Sequence, residues 1–341
     1  MKKSMAMILL ICLMTLSFMG CGAKNKDEAK TEPSRNLEAD AEDSETQEEA
    51  EGNTKTMNIT VSMQTFDNTF ASFCMARMAI YNEEHPELNI TYLDAANDAA
   101  TQITQIEQAV INDTQAVICC VVDATQAQPI VTACKDAGVP LIAFNRVFEG
   151  CDTFVGANNA DAGRIVAERA IELLDGSGNI ALVQGVMGQA NTYERTDAIL
   201  EALAEHPDIE IVLDGAADWK RDKALELVET WLQSGTEFDL VIALNDDAAL
   251  GVQQALSGAG KADSIPVLSI NGDPSGINGV KDGILDCTAF QAPFTQADKA
   301  LEIAVEYIQG GTPTDTFKVD YELITADNVA DYMQFTTVEG E

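Results

Sequence analysis

Glu84-His85-Pro86-Glu87-Leu88-Asn89-Ile90 is echoed by Glu205-His206-Pro207-Asp208-Ile209-Glu210-Ile211. In each phrase a helix-like stretch ends on the residue before a proline, which is biased away from helix, and a strand-like run opens just after it. The echo continues: Val117-Ile118 leading to Asp123-Ala124 is matched by Val241-Ile242 leading to Asp247-Ala248, and Gly138-Val139-Pro140-Leu141-Ile142 by Ser264-Ile265-Pro266-Val267-Leu268. The phrases return after about 120 to 126 residues, the mark of two similarly built lobes in tandem. Both histidines of the chain lie in the repeated turn, where they read as helix-end residues and not as catalytic bases.

Outward from these phrases, strand-like runs fall at 58–63, 90–93, 117–122, 139–144, 180–184, 209–213, 240–244 and 265–270. Between them apolar residues recur at helical spacing, as in Ile103, Ile106 and Val110, or Leu225, Val228 and Leu232, or Leu301, Val305 and Ile308. Alternation of this kind predicts an α/β fold of two Rossmann-like lobes, each a parallel sheet flanked by helices. Open parallel sheets bind ligands beyond the carboxyl ends of their strands. There the sequence concentrates amides: Asn68, Asn145-Arg146, Asn191, Asn245-Asp246 and Asn271-Gly272-Asp273. Any one of them reads as a turn residue; their recurrence at strand ends in both lobes makes a binding constellation.

The N-terminus reads separately. Lys2 and Lys3 precede an apolar run from Met5 to Met19 that stops at Gly20-Cys21, too short to span a bilayer and ending as a bacterial lipoprotein signal does. The expectation is a signal peptide over 1–20, acylation of Cys21, and a disordered acidic tether over 21–56, whose almost only large apolar residue is Leu37. The net charge of −36 disfavours nucleic-acid partners. Of eight cysteines, Cys74, Cys119, Cys120, Cys134, Cys151 and Cys287 remain for the domain, without CxxC or Cys/His clustering; they read as small buried hydrophobes, with distant disulfides left open. No GxGxxG follows the first strand, and no Walker A lysine, GxSxG elbow or metal-spaced histidine pair occurs, so no enzyme, cofactor or metal is expected.

Several motifs at matched order and spacing are specific: Pro140-Leu141-Ile142-Ala143-Phe144-Asn145-Arg146, Asn191-Thr192-Tyr193-Glu194-Arg195, Ala217-Asp218-Trp219, Ala243-Leu244-Asn245-Asp246, and Ser269-Ile270-Asn271-Gly272-Asp273-Pro274 followed by Gln291. They resemble the periplasmic sugar-binding proteins of the ribose and galactose/glucose type over essentially Met57 to Tyr332, with the galactose/glucose branch the nearest in look. The resemblance implies a periplasmic binding protein of type 1, an importer's solute-binding lipoprotein that closes on a hexose and docks on the permease of an ATP-driven transporter, outside the cytoplasm and as a monomer. A chemoreceptor as a second listener, or a uronate, pentose, polyol or furanose-like signalling molecule as ligand, stays open. The lactose-repressor family shares the core, but here a lipoprotein signal stands where a DNA-reading helix pair would be.

Carried over residue by residue, the resemblance assigns Asn68, Phe70, Asn145 and Arg146 to the ligand from the first lobe, and Gln189, Asn191, Arg195, Trp219, Asn245 and Asn271 from the second, with Gln291 at a hinge crossing. Phe70 and Trp219 would sandwich the ring while amides and arginine forks bind its hydroxyls. It also implies discontinuous lobes, 57–157 with 291–316 and 158–290 with 317–341, joined by three crossings. Two departures from the galactose/glucose branch stand out. Amides occupy Asn68, Asn191 and Asn271 where that branch places carboxylates, and Asp175-Gly176-Ser177-Gly178-Asn179 lacks the alternating oxygens of its calcium loop.

Overall fold

The computed structural model describes residues 56–313 and 316–337; the expected signal, Cys21 and the tether to residue 55 lie outside the described residues. The chain runs β1 (Met57–Met63), α1 (Thr69–Glu84), β2 (Leu88–Asp94), α2 (Ala99–Ile111), β3 (Ala116–Cys119), α3 (Gln128–Ala137), β4 (Leu141–Phe144) and β5 (Thr153–Ala157). It continues with α4 (Asn159–Leu173), β6 (Gly178–Gln184), α5 (Ala190–Leu203), β7 (Ile209–Ala216), α6 (Arg221–Ser234), β8 (Leu240–Ala243), α7 (Asp246–Gly258), β9 (Val267–Asn271), α8 (Pro274–Lys281) and β10 (Cys287–Phe290). Then come α9 (Pro293–Ile308), β11 (Thr316–Val319) and β12 (Glu322–Thr325).

Two six-stranded sheets result, ordered β11-β5-β4-β3-β1-β2 and β12-β10-β9-β8-β6-β7. Every pairing is parallel except β10 with β12, which is antiparallel. The repeated sequence phrases make repeated contacts. The Leu88 amide donates to the His85 carbonyl at 2.9 Å and the Ile209 amide to that of His206 at 2.9 Å; the Val117 amide donates to the Pro140 carbonyl at 2.9 Å and that of Val241 to Pro266 at 3.0 Å.

Side-chain alternation along the strands feeds one apolar cluster on each face of each sheet. Ile118 and Cys120 pack with Ile142 and Phe144 on one face of the first sheet. Val117 and Cys119 pack with Leu141 and Ala143 on the other. In the second sheet Val241 and Ala243 face one side; Leu240, Ile242 and Leu244 face the other. Adjacent Cys119 and Cys120 thus point to opposite faces, and all six described cysteines are free. Burial pushes their thiols up, Cys134 to about 12, so they act as small apolar side chains. Among the described residues no helix is long and apolar enough to cross a membrane, and no His/Cys/Asp/Glu group is arranged to hold a metal.

The chain passes between the sheets three times. It leaves β5 for α4, which packs under β9 and β10; it leaves β10 for α9, which packs on α1; and it leaves β11 for β12. The third passage corrects the expected boundary at 316/317: β11 keeps residues 316–319 in the first sheet, and the chain crosses at Asp320-Tyr321. β5, β10, β11 and β12, each four or five residues long, were not anticipated; Thr, Gly or Cys interrupts β5 and β10, whereas Phe317, Val319, Tyr321 and Leu323 do alternate with polar residues from β11 into β12. The run read as strand over 117–122 ends early, at Cys119.

Candidate functional site

The carboxyl ends of the strands in both sheets converge on one narrow cavity of about 30 Å3. Its lining is Asn68, Phe70, Asn145, Arg146, Asn191, Arg195, Trp219, Asn245, Asn271 and Gln291. Of the residues that the resemblance assigned to the ligand, only Gln189 stands behind that lining, where its Oε1 accepts from Arg146 Nη2 at 2.8 Å and from Trp219 Nε1 at 2.7 Å.

Local structure explains how the side chains arrive there. Asn68, Gln189 and Asn245 are the residues that cap α1, α5 and α7. Asn68 is a working cap, Oδ1 accepting from the Ala71 amide at 3.1 Å. Asn145, Trp219 and Asn271 hold left-handed or otherwise positive φ angles of 60°, 64° and 127°, and Asp218 one of 51°. Such backbone costs on the order of 1–3 kcal/mol for a bulky residue and persists only where neighbours enforce it. For Trp219 the enforcement is visible: Nε1 donates to Gln189, its carbonyl accepts from Asn245 Nδ2 at 3.1 Å, and its ring lies over Gly185. A Cβ at residue 185 would stand 2.1 Å from the indole.

No carboxylate lines the cavity, but two guanidiniums do. Arg146, 7% exposed, donates from Nη1 to the Val121 carbonyl at 2.9 Å and from Nη2 to Gln189, while its Nε finds no partner among the described residues. Burial holds its pKa below the ordinary arginine value, with the Arg195 charge adding to the effect. Arg195, 2% exposed, donates from Nε to Asn159 Oδ1 at 3.1 Å, from Nη1 to the Leu244 carbonyl at 2.6 Å and Asn271 Oδ1 at 3.4 Å, and from Nη2 to the Tyr321 hydroxyl at 3.0 Å. Its guanidinium also lies 5.8 Å from the centroid of Trp219, a cation–π distance. The amide oxygens of Asn191 and Asn245 are buried without partners among the described residues. The cavity thus presents unused donors and acceptors beside the rings of Phe70 and Trp219, which suits a small molecule with hydroxyls around an apolar ring.

The two sheets' loops touch across this cavity. Arg146 meets Gln189, and Asn191 Nδ2 donates to Asn145 Oδ1 at 3.2 Å. At the mouth Lys220 pairs with Asp67 at 2.9 Å, and Thr69 donates to Asp247, which also takes Arg221 at 2.9 Å. Behind the lining, fully buried Asp246 accepts from Ser269 Oγ at 2.5 Å, Thr288 Oγ1 at 2.6 Å and the Asp273 amide at 2.9 Å, fixing the turn that carries Asn271. Burial pushes both Asp246 and Asp273 above the usual carboxylate range, each resisting a second charge beside it.

Sequence reading missed Asn159 and Tyr321. Asn159 follows β5, a strand whose composition hid it, and Tyr321 sits in a crossing whose position was placed too early. Asp247 was marked in sequence only as part of a repeated phrase, and nothing in the sequence pointed to Thr69 or to their bond across the mouth.

The family model described as a periplasmic binding protein domain matches residues 59–312. A protein of Rhizobium meliloti assigned as rhizopine-binding is 31% identical over 283 residues, covering 80% of this chain and 92% of the relative. The xylitol-binding protein of Mycolicibacterium smegmatis is 33% identical over 246 residues, covering 71% of this chain and 70% of the relative. Among solved structures, an ABC transporter solute-binding protein of Bacillus halodurans with bound myo-inositol superposes with a TM-score of 0.79 at 34% identity, covering 83% of this chain and 99% of that one. A cavity built from strand ends of two facing α/β lobes, together with this match over most of the domain, means that the chain belongs to the periplasmic binding protein family, whose members work outside the cytoplasm as solute-binding proteins and not as enzymes.

Proposed function

We propose that this protein captures a single small polyhydroxylated molecule, a monosaccharide or cyclitol, between its lobes and delivers it to the permease of an ABC importer. The observation that carries this reading is one cavity lined from both lobes by five asparagines, a glutamine, two arginines and two aromatic rings. Ligand contacts made to both lobes at once favour the closed arrangement, which is the form a permease would select. The hexose of the galactose/glucose type expected from the motifs is one member of this class. The relatives described above carry the names of rhizopine, xylitol and myo-inositol instead. A sugar acid is a second reading, favoured by two buried guanidiniums with no carboxylate in the lining.

The test is thermal denaturation of the purified protein with myo-inositol, xylitol, D-ribose, D-allose, D-galactose, D-glucose and D-galacturonate. A ligand at about 100 times its Kd stabilises the native state by about 2.7 kcal/mol, a shift of several degrees. Failure of every compound to raise Tm would overturn the polyol reading, and galacturonate acting alone would select the acid one. In the cell we place the protein as a monomer on the membrane through acyl-Cys21, at the end of the acidic tether; labelling with a radioactive fatty acid should be lost in Cys21→Ser.

A further inference from the structure

We infer that Asn159 and Tyr321 are positioning residues that bind Arg195 to all three interlobe crossings, so that occupancy of the cleft and the hinge angle move together. This rests on the cleft being the ligand site. Each crossing contributes one buried polar side chain: Asn159 just after β5, Gln291 just after β10, and Tyr321 between β11 and β12.

These three meet at one place. Arg195 Nη2 donates to the Tyr321 hydroxyl at 3.0 Å, that hydroxyl donates to Gln291 Oε1 at 3.2 Å, Gln291 Nε2 donates to Asn271 Oδ1 at 2.8 Å, and Asn271 Oδ1 accepts from Arg195 Nη1 at 3.4 Å. The ring of bonds closes on itself. Asn159 adds a fifth contact, its Oδ1 accepting from Arg195 Nε at 3.1 Å and its Nδ2 donating to Glu194 at 2.9 Å. Burial keeps the Tyr321 phenol protonated, so it can donate to Gln291 while accepting from Arg195. In a dry interior, opening such a ring leaves charged or polar groups without partners; the Tyr321 hydroxyl also has Asn159 Oδ1 within reach at 3.4 Å, which ties the first crossing into the same network. Two of its members, Asn271 and Arg195, also line the cavity, and Gln291 is both crossing and lining. Rotation about the crossings therefore displaces the groups that would touch ligand, and ligand held by those groups restrains the crossings.

The experiment uses Tyr321→Phe, which keeps the ring in its apolar seat and removes only the hydroxyl, and Asn159→Ala. The control is Val228→Ala, a buried core truncation of the second lobe away from the cleft. Spin labels on cysteines introduced at exposed Ile111 and Leu200, one in each lobe, report the interlobe distance without ligand, in a Cys151→Ser background. Affinity is read for whichever probe binds the parent, starting with myo-inositol, xylitol and D-ribose. Both hub variants should broaden the ligand-free distance distribution and weaken binding about tenfold, mainly through faster dissociation, whereas Val228→Ala lowers Tm alone. Hub variants that lose Tm as the control does, with distance and affinity unchanged, would reduce the ring to a stability element and overturn the inference. If no probe binds the parent, the polyol reading fails while the ligand-free distances still decide the hub: an unaltered width sinks it.

Discussion

Each lobe sends one arginine into the cleft, and the two are held in opposite ways. Arg195, from the second lobe, spends four of its donor contacts on its own lobe and on the crossings. A guanidinium has five N–H groups, so little remains for anything else. Arg146, from the first lobe, makes one bond to the Val121 carbonyl of its own lobe and one across the cleft to Gln189, and its Nε has no partner among the described residues. Under the proposed function the second lobe would act as the seat, with Arg195 as frame beside the Trp219 ring, and Arg146 of the first lobe would be the one free to bond a ligand. Two residues identical in type and nearly identical in burial have different work because their partners differ.

The sharpest way to break that contrast is Arg195→Lys. An ammonium cannot serve Asn159, Leu244, Asn271 and Tyr321 together, so we expect both a lower Tm and at least about a 100-fold loss of affinity, roughly 3 kcal/mol. Calorimetry showing parental affinity would remove Arg195 from the seat. Next in size, Trp219→Ala should weaken all bound ligands alike by about 1–3 kcal/mol, since a ring face does not distinguish hydroxyl patterns; loss for one ligand only would make Trp219 a selector. Arg146→Lys sharpens the comparison from the other side: about a tenfold loss of affinity in titration, with Tm within a degree or so of the parent.

Two smaller effects concern what supports the seat and what shuts it. Asp273 caps α8 through Oδ1, accepting from the Ser275 amide at 3.0 Å and the Gly276 amide at 3.1 Å, and an asparagine can do the same. Its raised pKa means that the folded state holds a proton which the unfolded chain, with a carboxyl pKa of about 3.9, has released. Stability is thus lost as pH rises from that value through the folded one, and the loss is complete above it. Asp273→Asn should raise Tm at pH 8 by a few degrees, about 1 kcal/mol, with the gain shrinking toward pH 4 in a melting series; a gain independent of pH would mean that the charge was never the cost. Last, Lys220→Gln opens the exposed latch to Asp67 at the mouth. Affinity should fall less than about threefold at low salt and not at all near 1 M salt, where such pairs are screened. A loss that survives high salt would argue for a direct ligand contact.

The tandem architecture was legible because the sequence repeats its turn chemistry, and the amides at strand ends were legible because strand ends are where such sheets bind. What stayed hidden was relational. Gln291 was readable through a motif, but Tyr321 reads as one more apolar residue in the strand-like alternation of Phe317, Val319, Tyr321 and Leu323 with polar neighbours, and only the fold brings its hydroxyl to Arg195, 126 positions away in the chain. Asn159 likewise looks like a helix-start residue until β5 is seen before it. The pairing of short strands such as β10 and β12 is set by what lies beside them, which local propensity does not carry.

The placement of β11 bears on how the protein is made. Thr316 pairs beside Phe154, so the first sheet lacks its last strand until residues 316–319 have been synthesised, about 160 residues after β5. At about 5–20 residues per second the wait between these partners is roughly 10 to 30 s. Meanwhile β5, wholly buried in the finished protein, presents an open edge able to pair with another chain. Until β11 is made the first lobe is unfinished, and its exposed edge is where pairing with another chain would begin.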